Sequence, residues 1–358
     1  MTGGRIAFAA AHVVADPTAP QRPGLPARLD WDATLAFRHH LWRLGLGVAD
    51  AMDTAQRGSG LPWEAAAELI RRAGWEARAV GGRLACGVGT DQLAAGPRHG
   101  LAAIRAAYLQ QLAVVEDTGA QAVLMASRAL AASARGADDY HELYGAVISQ
   151  ASRPVILHWL GEMFDPALAG YWGSGDLDRA TATVLALIGA HAPRVDGIKV
   201  SLLDAGRERA IRRALPPGVR LYTGDDFHYP ELIRGDASGH SDALLGILDP
   251  IAVPAAAALA ALAAGDTARY DALLAPTVPL ARHLFAAPTR HYKTGIVYLA
   301  WLAGHQDHFV MPGGAQHDRS AAHLAALLPL ATAAGALPDP GLAARRQAEF
   351  LAAAGVSA

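Results

Sequence analysis

Lysine is almost absent from this chain. Lys and Arg together number 31 among 358 residues, yet only Lys199 and Lys293 are lysine. Wherever a generic surface cation is needed, the chain uses arginine. A lysine kept against that bias in an apolar setting points to amine chemistry, because an amine can shed its proton and attack a carbonyl while a guanidinium cannot. Cysteine is scarcer still. The single Cys86 excludes an internal disulfide and a Cys-based zinc site. A net charge of −2 leaves no basic field to hold a phosphate backbone, so nucleic acid is not an expected partner. No apolar run reaches the length needed to span a bilayer, so no membrane partner is expected either. Arg5 followed by Ile6–Ala15 has the outline of a secretory leader. The run is broken by His12 and followed by Asp16 and a proline-rich loop, which fits a buried first strand better. The expectation is a soluble cytoplasmic protein.

What is present is an alanine-rich, 52% hydrophobic chain with a regular alternation of short apolar runs and helical stretches. Strands are expected at Ile6–Val14, Leu46–Met52, Leu84–Val88, Ala120–Ala126, Pro154–Trp159, Val195–Val200, Val219–Tyr222 and Ala243–Leu248. Between them lie helical patterns at Trp31–Leu44, after Pro62, and at Arg98–Thr118, Tyr140–Gln150, Leu177–Ala190, Arg207–Leu215 and Tyr229–Arg234. The strands are short and continuously apolar, as when both faces of a parallel sheet are buried. Eight repeats within about 265 residues match an α/β (β/α)8 TIM barrel. An open doubly wound sheet is the competitor, but no dinucleotide-type glycine motif follows the first strand. After Pro250 the pattern is purely helical, near 254–265, 267–286, 291–304, 316–335 and 339–354. The expected organisation is a catalytic barrel over 1–265 and a C-terminal helical extension over 266–358. The loop Asp16–Leu29 follows strand one on the face where barrels place their chemistry, a position suited to a lid.

Lys199 ends the apolar strand Val195-Asp196-Gly197-Ile198-Lys199-Val200. Other segments keep it company in order. Arg153–Trp159, Gly197-Ile198-Lys199, Tyr222-Thr223-Gly224-Asp225-Asp226, Gly239–Pro250, Gly87-Val88-Gly89-Thr90 and Leu29-Asp30-Trp31 together resemble the dihydrodipicolinate synthase / N-acetylneuraminate lyase family of class I aldolases. The resemblance covers most of the barrel and is strongest from Ala151 to Pro254. It implies a TIM barrel whose strand-six lysine forms a Schiff base, with no cofactor, and a homo-oligomer, a dimer or tetramer. Two departures stand out. Where the family carries Thr-Thr-Gly-Glu to hold the carboxylate of pyruvate, this chain reads Met52-Asp53-Thr54-Ala55-Gln56-Arg57-Gly58. Where the family has a proton-shuttling tyrosine after strand four, this chain reads Met125-Ala126-Ser127-Arg128. The expected substrate is therefore something other than pyruvate.

The candidate catalytic residues are Lys199 as nucleophile, His158 as acid/base in place of the missing tyrosine, and Tyr222 as a second proton carrier. Candidates for substrate binding are Asp53, Thr54, Arg57, Ser127, Arg128, Asp225, Asp226, His228, Ser241 and Asp242, all expected at the C-terminal rim of the barrel. Fifteen histidines also raise a metal reading, around Asp225, Asp226 and His228, around His240 and Asp242, or around His305, Asp307, His308 and His317. No spacing among them is diagnostic, and no metal is expected. The leading expectation is a class I lyase or aldolase acting on a small hydroxylated keto compound, such as a sugar-derived one. The alternatives are a metal-dependent TIM-barrel sugar isomerase or class II aldolase, and a non-catalytic ligand-binding barrel.

Overall fold

The computed structural model describes residues 4–355. Eight parallel strands close into a ring in chain order: β1 Ala7–Ala10, β2 Gly47–Asp50, β3 Leu84–Val88, β4 Gln121–Leu124, β5 Val155–Leu160, β6 Val195–Ser201, β7 Arg220–Thr223 and β8 Asp242–Leu245. β8 returns to β1, with Ala7 opposite Ala243 and Phe8 opposite Leu244, so the sheet has no free edge. All eight expected strands are present. The first stops well short of Val14 because the backbone N–H and Nδ1 of His12 both turn to the Asp249 carboxylate at 2.8 Å. The second stops at Asp50 because Ala51 adopts a φ of 51°, its N–H held by the Asp50 carboxylate.

Alternation along the strands divides the core into two shells. Phe8, Ala49, Ala85, Val123, Ile156, Tyr222 and Leu244 fill the inside of the ring. Ala9, Val48, Cys86, Leu124, Leu157, Ile198 and Val200 face the surrounding helices. On β6 the outer shell claims Ile198 and Val200, so Gly197, Lys199 and Ser201 point inward. The glycine there is set by packing. A Cβ on Gly197 would lie 2.6 Å from the Arg220 carbonyl oxygen and 2.8 Å from Cε2 of Tyr222.

Acidic caps start several barrel helices. Asp30 accepts the Ala33 N–H at 3.0 Å to open Trp31–Arg43, and Asp176 and Asp204 do the same for Leu177–His191 and Ala205–Ala214. Beyond β8 the described chain is helical. The single helix expected over 267–286 is two, Thr267–Leu274 and Thr277–Leu284, parted at Pro276, which has no N–H to continue the ladder. The helix expected over 316–335 is also divided, with Ser320 capping Ala321–Ala325 before Leu327–Ala333. One apolar cluster runs from Ala7 to Ala343, so these helices share the barrel's core.

Helix Tyr292–Leu302 decides what covers the strand ends. The Tyr292 hydroxyl meets Thr54 Oγ1 at 2.9 Å just after β2, and Gln56 Nε2 donates to the Pro312 carbonyl at 2.9 Å. The extension thus crosses the C-terminal face of the ring. The proline-rich loop does not. Its base is closed by the Ala15–Leu29 bridge, and it walls a separate open groove of about 1010 Å³ with Trp31, Leu61 and Glu64. None of the loop's residues lines the wall formed by Asp53, Arg128 and Lys293 on that face. No helix among the described residues is long and apolar enough to cross a membrane.

Candidate active site

Lys199 sits two residues before the end of β6, in register with His158 on β5 and Tyr222 on β7. It is only 7% exposed, and its amine enters no ion pair or hydrogen bond among the described residues. Burial pushes its pKa down, and the charges of Asp53 and Asp226 oppose that shift. Gly224 is closed against it. A Cβ at Gly224 would overlap Ser201 Oγ and come 3.0 Å from Lys199 Cε, so the loop after β7 can approach the lysine only through a glycine.

The two aspartates that follow Gly224 have different jobs. Asp225 takes the N–H groups of Phe227 and His228 at 2.8 and 3.0 Å and the His228 ring Nδ1 at 2.9 Å. It shapes the loop, and His228 is engaged with it. Asp226 is fully turned inward. It accepts the Ile247 N–H at 2.9 Å, and burial raises it to about 7 against the pull of Lys199. The opposite shifts of Lys199 and Asp226 favour the same outcome, an uncharged amine beside a protonated carboxyl.

His158 faces into the ring with its Nε2 3.2 Å from Ser201 Oγ, and its buried Nδ1 has no partner. Burial, and after it the Lys199 charge, holds its pKa well below the ordinary imidazole range. The expectation that it titrates near the working pH is therefore corrected. It is a neutral ring that can give or take a hydrogen bond, and Asp226 is the better-tuned proton carrier.

Above the lysine, Asp53 lines a cavity of about 230 Å³ together with Arg128, Phe164, Arg290, His291 and Lys293. Lys199 is not part of that wall; Asp53 links the two, since its charge acts on both lysines. Tyr292 stacks on Phe285 at 4.4 Å, meets Phe164 edge-on, and turns its hydroxyl to Thr54. A Cβ on Gly246 would press 3.1 Å from the Tyr292 and Phe285 rings. Sequence reasoning missed Tyr292 altogether. The only signal was the neighbouring Lys293, the second of two lysines, which reads as a helix-surface residue until the fold is known.

Several expected site residues lie elsewhere or are already occupied. Tyr222 points to the opposite end of the ring, where its hydroxyl bonds Asp196 at 2.6 Å, and this placement takes it away from the Lys199 amine. Ser241 and Asp242 begin β8 and therefore lie at the N-terminal face. Ser241 donates to Glu208 at 2.7 Å, and Asp242 accepts the Ile6 N–H at 2.8 Å. A strand that starts with polar residues brings them to the bottom of a parallel barrel, never to the rim. Arg57 spends its guanidinium on the Gly87 carbonyl at 2.7 Å and on Asp91 at 2.6 Å, tying β2 to β3. Ser127 caps Arg128–Ser133 and bonds Thr90 Oγ1 at 2.6 Å. Arg128 reaches the cavity but is paired with Asp165 at 2.5 Å. Asp53, Thr54, Arg128 and Asp226 remain on the lysine side of the ring.

Among the described residues no three His, Cys, Asp or Glu side chains converge as metal ligands. The His305 ring packs on Phe37 and His40, and His308 Nδ1 accepts the Val310 N–H, so the group of His305, Asp307, His308 and His317 does not gather around a point.

Comparison with solved structures returns the same architecture. A putative dihydrodipicolinate synthetase from Pseudomonas aeruginosa superposes with a TM-score of 0.70 at 16% identity, covering 93% of this chain and 100% of that one. Dihydrodipicolinate synthase from Aquifex aeolicus gives 0.70 at 13% identity, covering 94% and 100%. YagE, a prophage protein of the dihydrodipicolinic acid synthase family from E. coli K12 solved with pyruvate, gives 0.69 at 16%, covering 92% and 99%. At such identities the likeness establishes the fold. No curated protein matches the sequence. The sequence model of DUF993, a family of proteins of unknown function, spans residues 2–356, and the chain belongs to that family.

Proposed function

We propose that this protein is a class I lyase or aldolase in which Lys199 forms a Schiff base with a small hydroxylated keto compound. The observation that carries this reading is the unpaired amine of Lys199, facing inward near the C-terminal end of a closed parallel barrel beside the buried carboxyl of Asp226. Other barrels of this shape keep their chemistry at that end.

The lone pair of Nζ adds to the substrate carbonyl carbon, and the Asp226 carboxyl gives its proton to the carbonyl oxygen. Loss of that oxygen as water leaves an iminium. In cleavage, a carboxylate takes the proton of the substrate hydroxyl, the hydroxyl-bearing carbon becomes an aldehyde, and the electrons of the broken C–C bond move toward the iminium to give an enamine. Synthesis is the reverse. Asp226, raised to about 7, is matched to this exchange at neutral pH. The Tyr292 hydroxyl, held by Thr54, supplies at the mouth a phenol that the segment after β4 lacks. The unpartnered Nδ1 of His158 is available to a substrate hydroxyl.

The test is trapping. Incubation with small 2-keto and 3-keto polyols followed by borohydride reduction should add the substrate mass to Lys199 alone. Lys199→Ala should abolish the adduct, and Lys199→Arg should be as inactive as Lys199→Ala despite keeping the charge. An adduct that persists in Lys199→Ala, or turnover by wild type without any adduct, sinks the reading.

A further inference from the structure

We propose that the cavity over the barrel mouth is an oxyanion subsite, where Lys293 and Arg290 take a carboxylate or phosphate group borne by the substrate. The proposal rests on the reading that Lys199 marks the reacting end of the site.

The cavity is lined by four permanent cations, Arg57, Arg128, Arg290 and Lys293, and by three carboxylates, Asp53, Asp165 and Asp318. Arg128 is paired with Asp165 at 2.5 Å, His291 with Asp318 at 3.2 Å, and Arg57 with Asp91 at 2.6 Å. That leaves Lys293 and Arg290 as cations without a carboxylate partner among the described residues, facing one carboxylate, Asp53. Arg290 is exposed, so water solvates it. Lys293 is not so placed. Its ammonium lies 5.4 Å from the centre of the Tyr292 ring; burial pushes its pKa down and the charge of Arg128 adds to that, while the charges of Asp53, Asp165 and Asp318 oppose it. A half-buried cation that lines such a cavity gains more from an incoming anion than a fully solvated surface lysine does.

Composition and geometry agree on this point. The chain has two lysines in 358 residues, and the charge of Asp53 acts on both. One lysine lies inside the ring and the other on the helix that crosses it. A small keto compound with its carbonyl at Lys199 and an anionic end at Lys293 would span Asp53, which is then placed to accept a hydroxyl proton between them. The same arrangement explains why the Thr-rich carboxylate cradle expected after β2 is missing. The anion is received by the extension instead, and Asp53 occupies ground where a carboxylate would be repelled.

The experiment measures binding without turnover. Inorganic phosphate and malonate are titrated calorimetrically into the full-length protein at pH 7, with glycerol as a neutral control. Wild type should bind at least one anion saturably and glycerol not at all; the tighter of the two identifies the group. Lys293→Met should weaken that anion at least tenfold, Arg290→Gln by a smaller factor, and Lys293→Arg should keep most of the affinity. Lys199→Ala should stay within about twofold of wild type. Absence of saturable binding by either anion, equal affinity in Lys293→Met and Arg290→Gln, or a loss in Lys199→Ala as large as in Lys293→Met overturns the proposal. Arg290 is exposed, so its variant reports even if Lys293→Met fails to fold. Borohydride trapping separates the two readings. Anion binding without an adduct removes the imine and leaves the subsite, while an adduct without anion binding does the reverse.

Discussion

The two ends of the barrel are built from the same residue types and put to opposite use. At the N-terminal end, Asp196 accepts Tyr222 at 2.6 Å and Arg220 at 2.6 Å, and Asp242 accepts the Ile6 N–H and lies 3.5 Å from Arg220. Both of these carboxylates are engaged within the fold. At the C-terminal end, among the described residues, Lys199 and Lys293 have no ion pair, and a buried ring nitrogen of His158 has no hydrogen-bond partner. Unpaired buried polar groups cost stability, so a fold keeps them where a ligand completes them. The carboxylates at the N-terminal end serve the fold, and the amines at the C-terminal end are where a substrate would be welcome.

That contrast can be broken by exchanging roles between the ends. Beyond the lysine variants, the largest effect is expected for Asp226→Asn. Turnover should fall by about 10²–10⁴, the usual contribution of a positioned acid/base, and the alkaline limb of the pH–rate profile should lose the step that Asp226 causes as it gives up its proton. An unchanged profile in Asp226→Asn would assign the proton to another group. The tyrosines provide a matched pair. Tyr292→Phe should lower turnover by about tenfold or more with a stability loss of about 1 kcal/mol, because only the bond to Thr54 is removed. Tyr222→Phe should cost about 1–3 kcal/mol in denaturant unfolding, because it strips a donor from Asp196, and should leave turnover nearly unchanged. Equal kinetic effects in the two variants would erase the distinction between the ends.

The smallest expected effect concerns Glu208, buried between Thr223 and Ser241 and away from the lysine. Burial raises it from 4.5 to about 8. The native state therefore keeps a proton that the unfolded chain gives up. Its stabilisation is complete below the unfolded value and is lost as pH climbs through the folded one. Thermal unfolding should show stability falling from acid toward about pH 8, by at most about 1.4 kcal/mol per pH unit from this group. Glu208→Gln should flatten that slope with turnover intact. A slope unchanged in the variant would place the titration elsewhere, with Asp226, which shifts in the same direction, as the first alternative.

How much of the site was legible depended on whether function followed from chain direction or from chain return. The placement of Lys199 and Asp226 was legible because they sit at or just after strand ends, and in a parallel ring every strand end lies on one face. Ser241 and Asp242 were misread for the same reason inverted, since they open a strand. Tyr222 was misread because its backbone lies in register with Lys199 while its ring leans the other way over Gly197, a direction that alternation alone does not give. Arg57 and Ser127 look like ligand binders in sequence, and nothing local reveals that Asp91, Gly87 and Thr90 already occupy them.

The sequence by itself determined the closed ring of eight strands, because the spacing of short apolar runs and capped helices is a local property that survives without any partner. It also singled out the lysine, because composition alone shows how rarely this chain uses that residue. Only the tertiary structure decided what faces that lysine. Tyr292 and Lys293 lie more than 90 residues further along the chain, and their approach to Asp53 and Thr54 depends on where the extension packs on the common core, a long-range outcome of burial that no periodicity encodes.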